Sequence, residues 1–528
     1  MSIEYFVEGE VNIQSGGGYS VKSNEIIANN AGESVNQKGI ETGVSYNKAQ
    51  EINPNNKPVN SIEVSLNLFF DGTGNNKSNT EARKANSKDY EEYSNKKNDS
   101  YTNDYSNIAK GFDAIDPNAE NQEVEYIEGI GTEDLKGDTL FPGQAMGTGE
   151  TGVKGKVTKG CIKGAAKLSK YIGRKIDILK VNVYGFSRGS AAARHFVHMA
   201  SNPPQISYSQ GNKVLQVYPP YDLPGATLII NDEDGTKLPF ILQYGYFGAQ
   251  LIKKELSIKR IVFNFVGLYD TVASYGVVHK NDTKDLGLNS ISKAYFVLQL
   301  TADDEYRNNF RLTNINSTNL HGLEFTLPGV HSDIGGGYVE MDEETVTLYT
   351  EEGSGEQCER FRKILIDEGW YKDRVEEIWV QRLSPHREAV DARFFLKGKR
   401  KLHNSYSKIP LNQMFHYSKQ FGVKYIESII KNIHKIDSEP LTRVYNQLLV
   451  YMNACNQKRN DYIEDKISGN YIQDIKKISY LDFIKEEDLK KLRNEYLHWS
   501  VDYGGFVNGQ NVSGVLPAFK RKRTIQDG

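Results

Sequence analysis

The sequence predicts an α/β fold: a mostly parallel sheet flanked by helices, with an added helical C-terminal region and a small N-terminal segment. Three observations predict it. Short apolar runs recur along the chain, each leading into a polar or glycine-rich loop, and helical patterns separate several of them. One run, "VNVYGFSRGSAAARHF" from Val181 to Phe196, ends on a serine between two glycines and continues into small residues. Strands alternating with helices build parallel sheets, whose functional groups gather at the carboxyl ends of the strands.

In chain order, residues 1–60 are rich in Gly, Asn and Ser, close on "EINPNNKPVN", and read as a separate leader. Residues 61–354 form the expected core. Its strands are "IEVSLNLFF" before "DGTGNN", "EVEYIEGI" before "GT", "IDILKVNVY" before "GFSRG", "KRIVFNFVGLY" before "DT", and "LEFTLPGV" before "HSDIGGG". Helices are expected in "VKGKVTKGCIKGAAKLSKYIG" and "ISKAYFVLQLTADDEYRNNF". Two insertions interrupt the pattern: an Asn-, Lys- and Tyr-rich surface loop at 75–105, and an irregular Pro- and Tyr-rich excursion at 202–250. Residues 355–528 turn mainly helical and pack on the core. In "LTRVYNQLLVYM" an apolar stripe runs through Leu441, Val444, Tyr445, Leu448, Leu449 and Met452. The basic run Lys520 to Arg523 reads as a solvated terminus, with phospholipid headgroups as an alternative contact.

Composition narrows the classes. The chain has 528 residues, 38% of them hydrophobic and 25% charged, with a net charge of −3. No global basic field draws it to nucleic acid. Its three cysteines, Cys161, Cys358 and Cys455, are too few and too far apart for a zinc spacing or a disulfide framework and fit a reducing cytoplasm. The acidic N-terminus lacks the pattern of a signal peptide, and no apolar run reaches the ~18 residues that cross a bilayer. Export, on this reading, is by a dedicated machine.

Gly185, Phe186, Ser187, Arg188 and Gly189 spell G-x-S-x-G between a strand and a helix, the setting that holds a serine on a strained, exposed turn. A serine hydroxyl is a weak nucleophile until a histidine takes its proton and a carboxylate holds that histidine. The order serine, acid, histidine selects Asp270, directly after a strand, and His331, at the head of "HSDIGGG". His195 and His198, on the helix leaving Ser187, read as packing or surface groups; His403, His416, His434 and His498 lie in the helical tail and are weaker candidates. The oxyanion requires backbone donors: the amide of Arg188, and a second from Gly72 or Thr73. Asp71 and Asp333 read as loop braces. "PGQAMGTGETG" lacks the Lys-Ser/Thr of a nucleotide loop. No cofactor is required by this chemistry, although Asp71, Asp270 and Asp333 are strand-end carboxylates that a Ca²⁺ ion would suit if they converged.

Taken in order, "FFDGTGNN", "YIEGIGT", "GTGETGVKGKV", "VYGFSRGSAAAR", "FVGLYDTVAS", "DDEYRNNF" and "PGVHSDIGGGY" resemble the GFSRG-containing lipase effectors of type VI secretion, antibacterial phospholipases with an α/β-hydrolase core. The likeness spans about Ile62 to Tyr338, with echoes in "YSKIPLNQMF" and "YLHWS". It implies hydrolysis of glycerophospholipid acyl esters at sn-1 or sn-2, with Ser187, Asp270 and His331 matching the family's triad. It also implies loading onto the secretion tube or spike, delivery from the cytoplasm into a target cell's periplasm, and a cognate immunity protein. The leader is similar to those of type VI effectors and is a candidate loading adaptor. Two other readings stay open: a soluble esterase or thioesterase using the same three residues, and a hydrolase-like binding module in which Ser187 is inert.

Overall fold

The computed structural model describes residues 61–93, 99–144, 146–273, 282–307, 309–383, 392–467, 478–502 and 521–528; the leader expected at 1–60 lies outside them. Two compact units divide the chain, one made of Ile62–Met452 and Ser479–Gly528, the other of Met1–Ser61 and Asn453–Ile478. The candidate site lies in the first.

Its centre is a six-stranded parallel sheet built from β1 (Ser61–Phe70), β2 (Gln122–Ile127), β3 (Lys175–Phe186), β4 (Ser257–Tyr269), β5 (Val297–Ala302) and β6 (Gly322–Leu327). The order across the sheet is β6-β5-β4-β3-β1-β2. The chain steps from β1 to one side and returns to the other, so a crevice opens beyond the carboxyl ends of β1 and β3, where the winding reverses. Both faces are covered, and β3 and β4 are accordingly buried over their carboxyl-terminal halves and β5 at all six positions. On one face Leu66, Leu68, Phe70, Val181 and Val183 pack with the helix Val153–Lys167, through Val153, Val157 and Cys161, and with Ala192 and Phe196 of the helix Arg188–Met199. On the other, Phe69 stacks on Tyr184 at 4.3 Å between ring centres, and Phe265 and Phe296 meet Phe421. Among these aromatics runs a buried amide ladder. Asn264 donates to Asn182 (2.9 Å), Asn182 to Asn67 (3.0 Å), and Asn67 to the Glu123 carbonyl (3.0 Å). The pairing of β3 with β4 slips by one residue here, with Val181 opposite Phe263 but Asn182 opposite Phe265, so Asn264 is a bulge.

Four expectations change. "ISKAYFVLQLTADDEYRNNF" carries strand β5 at its middle; six buried residues in a row suit a strand covered on both faces better than an amphipathic helix. The 75–105 insertion holds short helices, Lys77–Lys84, Lys88–Tyr93 and Asp99–Thr102, with Asn79, Thr80 and Tyr101 buried, so it is no mere surface loop. The excursion at 202–250 is regular: strands Ile206–Ser209, Val214–Val217 and Leu228–Asn231 form an antiparallel sheet, followed by the helix Lys237–Lys253. The C-terminal region adds, beside its helices, strands Ile378–Leu383 and Arg393–Leu402, which form an antiparallel sheet with Asp342–Glu352. The stripe of the helix Leu441–Ile467 does face inward, with Leu441, Val444, Leu448 and Met452 buried. No helix among the described residues is long and apolar enough to cross a membrane.

Candidate active site

Ser187 stands between the end of β3 and the start of its helix with φ 58° and ψ −128°, a backbone conformation that few non-glycine residues adopt. Neighbouring strand ends hold it there. Its N–H donates to the Tyr269 carbonyl (3.0 Å), and its own carbonyl accepts from Val272 (3.3 Å). Phe186 lies opposite Tyr269 in the pairing of β3 with β4, so Ser187 and Asp270 leave the sheet side by side. Gly189 permits the turn to sit this low: a Cβ on it would lie 2.3 Å from the Asp71 carbonyl and 2.4 Å from that of Phe70. The helix can therefore start against the very end of β1 and its loop.

Asp270 is fully buried, with φ 46°. His331, which opens the short helix His331–Gly335, meets it through Nδ1 at 2.5 Å from Oδ2. The imidazole lies between Phe186 (ring centres 4.6 Å apart) and Phe310 (4.9 Å). With Nδ1 committed to Asp270, Nε2 has no hydrogen-bond partner among the described residues. Burial lowers the His331 pKa first; the Asp270 contact works against this, and the nearby Arg307 charge adds to it. The ring is consequently held neutral at neutral pH, the form able to accept a proton. Burial by itself would raise Asp270, but Arg523 and His331 more than offset it and keep the carboxyl well below the ordinary carboxylate range.

The loop after β1 closes the other side. Arg188 Nε donates to Thr73 Oγ1 at 2.8 Å, tying the residue after the serine to this loop. The Asp71 carboxyl takes the Gly72 N–H (2.7 Å) and the Tyr126 hydroxyl (2.6 Å), the contacts of a loop brace; burial pushes its pKa up to about 6. Of the two loop amides expected to face an oxyanion, that of Gly72 is thus already occupied, because Asp71 folds back on its own following residue. The amides of Thr73 and Arg188 have no partner among the described residues. Asp333 accepts from Val330 N–H (3.0 Å) and His498 N–H (3.0 Å), and lies 2.7 Å from His498 Nδ1, again a brace.

The three strand-end carboxylates do not converge on a cation site: Asp71 is bound to Tyr126, Asp270 to His331 and Arg523, and Asp333 to His498. No cluster of metal-binding side chains occurs among the described residues. His195 is buried and His198 half-buried, with partners Leu286 O and Ser290 Oγ, away from the serine. The roles of three participants were not foreseen in the sequence. Glu305 accepts the His331 N–H at 3.3 Å and pairs with Arg307 at 2.8 Å; His498 is the partner of Asp333; and Arg523 reaches Asp270 from the tail. Glu305 and Arg307 lie inside the motif "DDEYRNNF" and His498 inside "YLHWS", so their positions were visible and their partners were not.

A family model described as the catalytic domain of type VI secretion, Tle1-like phospholipase effectors matches residues 65–354. Among solved structures, that of the Tle1 effector bound to the VgrG spike of the type 6 secretion system has a TM-score of 0.52 at 19% identity, covering 94% of this chain and 98% of the other. An uncharacterized protein from Pseudomonas aeruginosa reaches a TM-score of only 0.33 at 16% identity, covering 76% of this chain and 52% of the other. No curated protein matches the chain.

Proposed function

The chain belongs to the Tle1-like family of type VI secretion phospholipase effectors, and we propose that it cleaves acyl esters of membrane glycerophospholipids, as a phospholipase A, through Ser187, His331 and Asp270. One observation carries the reading: an imidazole bound through Nδ1 to a buried carboxylate (2.5 Å), at the crevice where the strained serine stands. His331 Nε2 takes the Ser187 proton as Oγ attacks the ester carbonyl carbon. The oxyanion rests on the amides of Arg188 and Thr73. Collapse breaks the bond to the glycerol oxygen, which leaves with the proton from Nε2. A water, deprotonated by the same nitrogen, then attacks the acyl-serine, releases the fatty acid and restores Ser187. Asp270 fixes the tautomer throughout and stabilises the transient imidazolium. These steps use no metal.

Delivery is part of the proposal. The similar Tle1 effector was solved on a VgrG spike, which supports a spike protein as the carrier of this chain; the phospholipase family supports a membrane as its substrate, and an immunity protein in the producer completes the proposal. The test is the release of fatty acid and lysophospholipid from phosphatidylethanolamine–phosphatidylglycerol vesicles. Wild type is expected to release both, and Ser187→Ala neither; full activity in the variant overturns the assignment. The acyl chain left on the lysophospholipid identifies sn-1 or sn-2 cleavage. Hydrolysis of monomeric short esters alone would mark a soluble esterase instead.

A further inference from the structure

Arg523 belongs to the basic run that the sequence places in solvent, yet it is buried against the candidate catalytic acid. Its Nη1 donates to Asp270 Oδ1 (2.5 Å) and its Nη2 to Oδ2 (2.8 Å), a two-pronged contact across 253 positions of chain. The remaining N–H groups reach the carbonyls of Ala302 (2.9 Å) and Phe310 (3.0 and 3.2 Å). Asp270 Oδ1 also accepts the Ala302 N–H (2.9 Å). Oδ2 is therefore shared between the guanidinium and His331, and the carboxylate has no room to turn.

The tail around Arg523 is built in. Ile525 and Gln526 pair in parallel with Leu312 and Thr313, and Thr313 N–H in turn donates to the Thr271 carbonyl (2.9 Å), next to Asp270. The Asp527 carboxylate accepts from Asn314 (2.8 Å) and Asn316 (3.0 Å), and Gly528 is buried. A hydrogen-bonded layer thus runs from the tail, through Leu312–Thr313, to the acid.

We propose that Arg523 is a positioning residue of the catalytic acid, which clamps the Asp270 carboxylate in place and holds His331 in its proton-accepting form. The electrostatic part follows from the charges. Asp270 and Arg523 sum to zero while the imidazole is neutral, so protonating His331 leaves a buried net positive charge. Without Arg523, the same protonation would neutralise an isolated buried anion and be favoured. The other charged groups facing His331 are Glu305 and Arg307, which pair with each other and are unchanged by a substitution at 523. The proposal rests on the serine-hydrolase reading above.

The experiment is the pH profile of kcat/KM on a soluble short-chain ester for wild type, Arg523→Met and Arg523→Lys, with thermal melts of each. Arg523→Met is expected to move the acidic limb upward by about one pH unit and to lower the plateau roughly 100-fold through loss of alignment. Arg523→Lys, which keeps the charge but not the fork, is expected to leave the limb near its wild-type position with an intermediate plateau. A folded Arg523→Met enzyme whose acidic limb stays at the wild-type position overturns the proposal. Should Arg523→Met not fold, Arg523→Gln, which retains an N–H for the Phe310 carbonyl, takes its place under the same criterion. Absence of Ser187-dependent turnover in wild type would count against the hydrolase reading. The clamp is then judged on the downfield proton resonance of His331 Nδ1–H, identified by its loss in His331→Gln: a midpoint raised in the 523 variant supports it, and an unmoved midpoint overturns it.

Discussion

Two histidine–aspartate pairs each draw one member from the segment 331–333, and they differ in what surrounds the ring and the carboxylate. His331 meets Asp270 and His498 meets Asp333, each through Nδ1, at 2.5 and 2.7 Å, and all four residues are buried. On His498 the second ring nitrogen is fully buried without a hydrogen-bond partner among the described residues, under Tyr338 stacked at 3.5 Å. On His331 that nitrogen is not sealed in this way, and the ring borders the strained serine through Phe186. An acid–imidazole contact is therefore a chemical relay only where Nε2 has a substrate or nucleophile to reach; elsewhere it is a strut. Asp333 shows the strut at work, tying the segment of His498 to the loop that carries His331.

Breaking each pair should separate the two roles. The largest effect is expected at the reactive one: Ser187→Ala or His331→Gln lowers kcat about 10⁴-fold or more with little change in melting temperature, measured on phospholipid vesicles. Asp270→Asn should come close to this, because a carboxamide that donates a hydrogen bond to the imidazole favours the wrong tautomer. At the strut the outcome reverses. His498→Ala removes a buried hydrogen bond and opens a cavity, at a cost of about 3 kcal/mol of stability in urea melts, while activity per folded molecule stays within about threefold of wild type. An equal loss of kcat in His498→Ala and His331→Gln would erase the distinction.

A third histidine sharpens the contrast by having no carboxylate at all. His195 is buried against the Leu286 carbonyl, and burial lowers its pKa to about 3. The unfolded chain then binds a proton at this residue below about 6.5 while the folded chain does not, so folding weakens as pH falls from about 6.5 toward 3. His195→Gln, which keeps a donor for Leu286, should flatten the stability profile between pH 7 and 4.5 in paired urea melts. An unchanged slope would mean that other groups set the acid sensitivity.

How much of this was legible in the sequence depended on range. The elbow at Ser187 could be read because its strand, turn and helix are contiguous. Asp270 and His331 could be read because each follows an apolar run directly, and strand ends gather in a parallel sheet. Strand β5 was hidden inside a pattern taken for a helix, since a strand covered on both faces has no alternation to show. Arg523 was hidden for a different reason: a basic run at the end of a chain carries no local signal that one of its members has a buried partner more than two hundred residues away. Between the alternatives Gly72 and Thr73 the sequence offered no choice, because it does not show that the Asp71 side chain takes the next amide.

The bulge at Asn264 has a further consequence. One additional residue in β4 stands outside the ladder with β3 and gives its amide to the Asn182 side chain and to the Phe421 carbonyl (2.9 Å each). Delete that residue and Phe263 and Phe265 would follow one another in regular alternation, still opposite Val181 and Asn182, so the acid would keep its place at the strand end. What a single lost codon would remove is the strap between the middle of the sheet and the turn after the helix Lys408–Gln420, a loss expected to weaken folding while the three residues of the proposed triad stay in register.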